Sequence, residues 1–203
     1  METLIALCRS TWDYLGQMAV LAVPMGLGFL LLRPWRQRRL RRLALESSTA
    51  REICLLLFVM SVGSILAVTL RPTVGWCAPL PEKTELWENL NLIPFRMFRI
   101  YGYYFRWHNF LYIIINFIGN MAVFIPIGLF PALLFRKAKW YRSTLIGCAF
   151  SVFIEVSQYF VMRQTDIDDV ILNTLGALWG YWLYLLMKRL FPVFTFKFQC
   201  QKK

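Results

Sequence analysis

Residues 143–187 read STLIGCAFSVFIEVSQYFVMRQTDIDDVILNTLGALWGYWLYLLM, and this stretch decides the class of fold. It contains two apolar runs, residues 143–162 and 170–187, separated by a short segment with one arginine and three aspartates. About 20 apolar residues in a helix cross the roughly 30 Å hydrocarbon core of a bilayer. Because each run has about that length, the stretch predicts two membrane-spanning helices joined by a tight acidic loop.

Three further charge-free runs occupy residues 14–32, 53–70 and 109–135. Of the 203 residues, 58% are hydrophobic and 17% charged, and the mean hydropathy is +0.50, which is unusual for a soluble protein. We therefore predict an all-α membrane protein with about five transmembrane helices. Five spans of about 20 residues leave little chain for a soluble catalytic domain.

The run 109–135 is too long for one perpendicular helix and contains Pro126 and Pro131, so we expect it to tilt, kink or fray. The predicted organisation has three parts. Residues 1–52 form an N-terminal transmembrane helix and a cytoplasmic polybasic loop, residues 53–190 form the transmembrane core, and residues 191–203 form a basic cytoplasmic tail.

Lysine and arginine are unevenly distributed between the loops. Sixteen of the 23 lie in segments 33–51, 136–142 and 188–203, which share one side of a five-span bundle. The positive-inside rule assigns that side to the cytoplasm and predicts an N-out/C-in orientation. The net charge of +12 comes without a groove-reading motif, so we expect no nucleic acid as partner. We expect membrane lipids instead, with anionic headgroups beside the segment RPWRQRRLRR at 33–42.

A carboxylate inside an apolar run is costly unless it faces protein, water or a partner, which makes Glu155 a functional candidate. On a helix, Ser151, Glu155 and Gln158 share one face because they are three or four residues apart. This polar stripe runs toward the acidic loop.

The last apolar run also has a distinctive face. Asp169, Asn173, Gly176 and Gly180 lie within about 60° of one another at 100° per residue. Gly176 and Gly180 form a GxxxG pair, which lets another helix approach closely. Because the acidic loop is short, we predict that this pair packs against the preceding helix and brings Glu155 near Asp169.

Asparagines form a third polar stripe, since Asn109, Asn116 and Asn120 are spaced by seven and four residues. Carboxamides buried in lipid need hydrogen-bonding partners. We therefore expect one outward-facing polar pocket in the outer half of the bilayer, assembled from three helices. Its candidate residues are Asn116, Asn120, Glu155, Gln158, Arg163, Asp166, Asp169 and Asn173.

The predicted outer loop interleaves aromatic residues with arginines in FRMFRIYGYYFRW, residues 95–107. Such segments lie in the headgroup layer, where rings sit at the boundary and guanidinium groups reach phosphates. Arg96, Arg99 and Arg106 are therefore candidate headgroup-binding residues.

Purely structural roles compete with these interpretations. Thr165-x-x-Asp168 fits a capping box at the start of the last helix. Glu155 could form an ion pair with Arg163 or with an arginine of the outer loop, and the asparagine stripe could simply join helices. The sequence leaves these alternatives open.

No nucleophile elbow, phosphate-binding loop, HExxH motif, dinucleotide fingerprint or CxxC pair occurs in the chain. We therefore assign no catalytic residue, and whether the protein is an enzyme stays open. Glu155, Asp166 and Asp169 supply oxygen ligands of the kind that Mg²⁺, Ca²⁺ or Mn²⁺ prefers. These three residues are the candidate ligands for a divalent cation.

Several of these motifs follow one another in a specific order and spacing. They are Asn91-Leu92-Ile93-Pro94-Phe95, Asn120-x5-Pro126-Ile127-Gly128, Glu155-x-x-Gln158, Arg163, Asp166-x-x-Asp169 and Asn173-x-x-Gly176-x3-Gly180. With this succession the chain resembles the VanZ-like family over about residues 85–185. The resemblance implies a multi-pass protein of the bacterial plasma membrane that lowers susceptibility to lipophilic glycopeptide antibiotics of the teicoplanin type. It implies no agreed catalytic residues.

Three functions compete at this point. The favoured one is a protein of the cell envelope whose polar pocket binds or alters an amphipathic molecule, such as an envelope component or a lipoglycopeptide. The second is an intramembrane, metal-dependent enzyme acting on a lipid-linked headgroup. The third is a lipid or small-molecule transporter with Glu155 as a protonatable site, which five spans without repeat symmetry do not favour.

Overall fold

Apolar runs fold as helices in a bilayer because every backbone N–H and C=O group must find its partner within the protein. The computed structural model describes residues 2–70, 90–96, 110–135, 137–161, 163–199 and 201–202. These residues form seven helices and four two-residue strands. The helices are α1 (Glu2–Leu31), α2 (Arg33–Arg42), α3 (Thr49–Thr69), α4 (Phe110–Leu134), α5 (Trp140–Phe160), α6 (Ile167–Leu190) and α7 (Pro192–Phe196), and the strands are β1 (Leu45–Glu46), β2 (Leu90–Asn91), β3 (Thr165–Asp166) and β4 (Gln201–Lys202).

Four of the described helices, α3 to α6, are long and apolar enough to cross a membrane. The segments Leu15–Leu31 and Arg33–Arg42 pass the same test only as a pair bent by 45°, so the number of spans among the described residues is four, or up to five. Between 22% and 39% of each of the four span windows is buried inside the protein, which leaves most of the apolar surface for lipid to cover. The predicted all-α, multi-pass membrane fold is confirmed, while its N-out/C-in orientation stays a prediction.

Two features of the backbone were not anticipated in detail. Strand β1 pairs antiparallel with β4, and β2 pairs parallel with β3. Two-residue strands leave no alternating pattern that the sequence could reveal.

Helix α4 runs through Pro126 and Pro131 without a break, as membrane helices can when neighbouring groups satisfy the backbone atoms that a proline frees.

One compact unit comprises Met1–Arg71, Leu133–Lys137 and Met187–Lys203. In this unit α1 packs along α3. The two helices approach closely at Gly63, where an added Cβ would lie 2.9 Å from the backbone of Ala22. The two apolar helices therefore meet backbone to backbone.

The same unit contains a polar junction at the start of α3. The hydroxyl oxygen of Ser48 caps the helix by accepting the N–H of Arg51 at 3.2 Å. The guanidinium of Arg51 donates to the carbonyl oxygens of Leu134 at 2.8 Å and Phe198 at 3.0 Å. One side chain thus ties the start of α3 to the end of α4 and to the C-terminal tail.

The second unit comprises Pro72–Ala132 and Ala138–Leu186 and contains the packed part of α4, α5 and α6. A Cβ on Gly176 would overlap the carbonyl of Met121, and one on Gly180 would overlap the carbonyl of Ile125. The GxxxG pair therefore packs against α4. Our prediction that it packs against the preceding helix, α5, is wrong.

Helix α5 contacts a neighbouring face of α6. Gly147 of α5 lies against the methyl group of Ala177, a fully buried residue that lies between Gly176 and Gly180 along α6. The rings of Phe124 and Phe150, with centroids 5.8 Å apart, join α4 to α5. The short loop does keep α5 beside α6, but the residue of α6 that faces α5 is Ala177 rather than Gly176 or Gly180.

Candidate functional site

The connection between α5 and α6 is built on Glu155. The N–H of Asp166 donates to Oε2 of Glu155 at 3.0 Å, and the hydroxyl of Thr165 donates to the backbone carbonyl of Glu155 at 3.2 Å. Glu155 is buried, so these bonds replace the water that its carboxylate and carbonyl would otherwise bind. They fold the loop back onto the helix that precedes it.

Asp166 caps the start of α6. Its Oδ1 accepts the N–H of Asp168 at 2.9 Å, which satisfies one of the backbone donors that a helix leaves unpaired at its N-terminus. The same oxygen accepts Nδ2 of Asn91 at 2.9 Å. The acidic loop does cap the helix, but the capping residue is Asp166 and not the predicted Thr165. The hydroxyl of Thr165 donates to the carbonyl oxygen of Glu155 instead.

The segment 90–96 is held on this loop by side chains. Leu90 and Asn91 pair with Thr165 and Asp166 in the β2–β3 ladder. Oδ1 of the buried Asn91 accepts the N–H of Ile93 at 3.3 Å and Nη1 of Arg96 at 3.5 Å. The turn that follows Asn91 is therefore set by its own side chain, as in an Asx-turn.

Phe95 adopts a left-handed backbone conformation, with φ of 63°. That conformation costs a non-glycine residue roughly 1–2 kcal/mol. Its N–H donates to Oδ1 of Asp168 at 2.5 Å, and Asp168 is 1% exposed. A buried carboxylate therefore holds an unfavourable backbone conformation, a combination that is typical of functional segments.

The three long helices of this unit all contribute polar contacts. Nδ2 of Asn120 on α4 donates to Oδ1 of Asp169 at 3.0 Å. Nδ2 of Asn173 on α6 donates to Oγ of Ser151 on α5 at 2.9 Å, and both groups are buried. The structure thus brings residues from all three predicted stripes into hydrogen bonds, with Asp169 and Asn173 as the members from α6.

The other predicted residues occupy different positions. The buried Gln158 accepts the N–H of Arg163 at its backbone carbonyl, at 3.0 Å. Arg163 is close enough to Glu155 and Asp169 to interact with both electrostatically. The side chain of Asn116 and the whole of Arg99 and Arg106 lie outside the described residues.

An open groove of about 400 Å³ lies against this loop. Its wall is almost wholly apolar, and Glu155 and Asp166 line part of it. The remaining lining residues are Leu90, Leu92, Val152, Val156, Tyr159, Phe160, Thr165, Ile167 and Val170. The polar side chains of the cluster already bind backbone and amide groups of the protein, so most of the space beside them is suited to an apolar group.

Among the described residues, no group of three or more His, Cys, Asp or Glu side chains is placed to hold a metal ion. Glu155, Asp166 and Asp169 each give a carboxylate oxygen to an N–H group of the protein. A divalent cation at these residues stays a prediction that the geometry of the described residues does not support.

Two residues that hold the site together, Asn91 and Asp168, are not among the pocket residues predicted from the sequence. Both hold the segment 90–96. The sequence carried a weak signal for Asn91, because asparagine is common in turns, where its side chain binds the backbone two residues on. For Asp168 the sequence suggested only a role in capping the helix. Its role in holding segment 90–96 depends on the contact with the distant Phe95, which local sequence does not reveal.

Comparisons with known proteins match the part of the chain that contains this site. The VanZ/LLP1 family matches residues 58–188, which include α4, α5, the acidic loop and all but the last two residues of α6. Protein VanZ of Enterococcus faecium is 34% identical over 73 residues, which is 36% of this chain and 45% of that protein. The alignment therefore covers less than half of that relative. No solved structure matches the chain. Because the family match covers well over half of the residues, the chain belongs to the VanZ/LLP1 family.

Proposed function

We propose that this protein acts in a bacterial plasma membrane and lowers susceptibility to lipophilic glycopeptide antibiotics of the teicoplanin type. In this proposal the groove beside the acidic loop holds the apolar tail of an amphipathic molecule, either an envelope component or the antibiotic itself. The observation that carries the proposal is the apolar groove that the buried Glu155 and the partly exposed Asp166 also line. Family membership and the similarity to Protein VanZ support the context of resistance.

The groove suits a hydrocarbon tail. Its volume of about 400 Å³ lies within the range of small-molecule sites, and Val152, Val156 and Tyr159 of α5 form much of one wall. A tail that leaves water for such a wall gains about 0.8 kcal/mol for each methylene group, whereas a tail that leaves the lipid gains only the closer packing. The groove therefore favours a ligand with a flexible apolar chain over a compact polar one.

The carboxylates at the groove suit the other end of an amphipathic ligand. Glu155 and Asp166 line the same space as the apolar residues. Both already accept N–H groups of the protein, so what they offer a ligand is mainly their negative charge. A polar or cationic group joined to the tail would therefore lie next to negative charge at the loop.

The groove can be tested by filling it. Val156→Trp places a large side chain on the lining, whereas Leu145→Trp makes the same kind of change at another exposed position of α5 that does not line the groove. At equal expression, we expect Val156→Trp to remove protection against a glycopeptide with a lipid tail and Leu145→Trp to retain it. Susceptibility to a glycopeptide without a tail should change in neither variant. Full protection by Val156→Trp would refute the proposal.

The carboxylate can be tested separately from the loop that it holds. Glu155→Gln keeps an oxygen that can accept the N–H of Asp166, removes the negative charge and places an NH2 group where the other oxygen was. We expect this variant to retain thermal stability and to bind a purified lipoglycopeptide or envelope lipid more weakly. Unchanged binding would show that the charge has no part in recognition and would leave the apolar wall as the recognition element.

A further inference from the structure

Helix α2 has a composition that sets it apart from the other described helices. Its ten residues, RPWRQRRLRR, include six arginines. The helix follows the apolar segment Leu15–Leu31 after a bend of 45°, and the apolar α3 begins a few residues later, at Thr49. Arginine is costly in hydrocarbon, so α2 must lie where the apolar part of α1 ends, at the edge of the bilayer.

One face of α2 is bound to the protein through Glu52. Nη2 of Arg36 donates to Oε2 of Glu52 at 2.6 Å, and Nε2 of Gln37 donates to Oε1 at 3.3 Å. Arg36 also donates to the carbonyl of Phe29 at 2.7 Å, and its guanidinium lies 3.5 Å from the centre of the Phe29 ring. The buried Glu52 thus neutralises Arg36 and determines which face of α2 turns inward.

The opposite face carries Trp35, Arg38, Arg39 and Arg42. Helical spacing of three and four residues places these four side chains together, and all are exposed, with Trp35 exposed by 62%. In the part of the chain that the structure describes, no acidic side chain forms an ion pair with the three arginines. Their charge is therefore available to a ligand outside the protein.

We infer that this outer face of α2 binds the anionic phosphate headgroups of the bilayer. Tryptophan favours the membrane interface, and arginine binds phosphate oxygens through paired N–H groups. The bilayer is favoured over a soluble polyanion because α2 continues directly from an apolar helix and so already lies beside the headgroups. Each arginine near an anionic membrane surface changes the affinity by about fivefold.

The inference can be tested on the full-length protein in nanodiscs. Amide hydrogen exchange of α2 would be measured in phosphatidylcholine nanodiscs and in nanodiscs that also contain phosphatidylglycerol. We expect slower exchange with phosphatidylglycerol, and we expect high salt to remove the difference because it screens exposed charges. Equal exchange in the two nanodiscs, or a difference that survives high salt, would overturn the inference.

Two single variants on the same helix separate the outer face from net charge. Arg42→Gln removes an outer arginine, whereas Arg41→Gln removes an exposed arginine at the flank of the helix that forms no ion pair among the described residues. We expect only Arg42→Gln to lose much of the phosphatidylglycerol effect. An equal loss in both variants would show a nonspecific charge effect and refute an outer-face site. Protection of α2 by added RNA in neutral nanodiscs would refute the assignment to lipid.

Discussion

Asn91 and Asp166 join two segments that are 75 residues apart in the chain. Asp166 accepts two hydrogen bonds at one oxygen, so it caps α6 and holds Asn91 at the same time. Asp168 then holds the strained Phe95 through its backbone N–H. At this scale the acidic residues act mainly as acceptors for backbone and amide donors, which explains why three of them can lie close together beside an apolar groove.

We expect Asn91→Ala to lower the free energy of unfolding by about 1–3 kcal/mol, because it removes a buried hydrogen bond to a charged group. The measurement is chemical unfolding of the purified protein in micelles. Gln164→Ala, an exposed change in the nearby loop, is the control and should alter stability by less than about 0.5 kcal/mol. Equal effects of the two variants would contradict the role of Asn91.

At the scale of elements, α6 packs closely against both α4 and α5 because two of its faces carry small residues. Gly176 and Gly180 let α4 approach to backbone contact, and Ala177 meets Gly147 of α5. In a bilayer no hydrophobic force draws helices together, so close packing of this kind supplies much of the association energy. It also places Asn120 within hydrogen-bonding distance of Asp169.

Gly176→Ala should therefore destabilise the protein by about 1–3 kcal/mol, since its methyl group would overlap the carbonyl of Met121 on α4. Gly119→Ala is a matched control on α4, because an added Cβ there meets no atom within 4 Å. We expect that control to leave stability unchanged or to raise it by up to about 1 kcal/mol, as alanine favours helices over glycine. Thermal unfolding in detergent would measure both. Similar losses would contradict the packing of α6 on α4.

For the whole molecule, the distribution of positive charge predicts how the chain crosses the membrane. The positive-inside rule predicts the cytoplasmic side for the polybasic α2 and the tail, and the opposite side for the loop with Asp166. The proposed function requires that loop to face outward, where an antibiotic first meets the cell. The topology is therefore testable independently of the ligand.

Cysteine labelling would measure this topology. In a variant whose five native cysteines are replaced by serine, we expect Gln164→Cys to react with a membrane-impermeant maleimide on intact cells. Leu43→Cys, which is also exposed and follows α2, should react only after the cells are permeabilised. The reverse pattern would contradict the N-out/C-in orientation and place the groove on the wrong side for the proposed function.

The sequence by itself determined the membrane class, the approximate positions of the apolar runs and most polar members of the site. These are local properties: hydrophobicity over about 20 residues and helical spacing of polar side chains can be read without knowing any contact. Glu155, Asn120 and Asp169 were found in this way.

Only the tertiary structure decided which helix each face meets. Gly176 and Gly180 permit close approach to any neighbour, so their spacing could not distinguish α4 from α5. The contacts of Asn91 with Asp166 and of Phe95 with Asp168 likewise join distant parts of the chain. Such pairings depend on the packing of all the helices at once, and for this reason the apolar groove beside the acidic loop could not be read from local spacing.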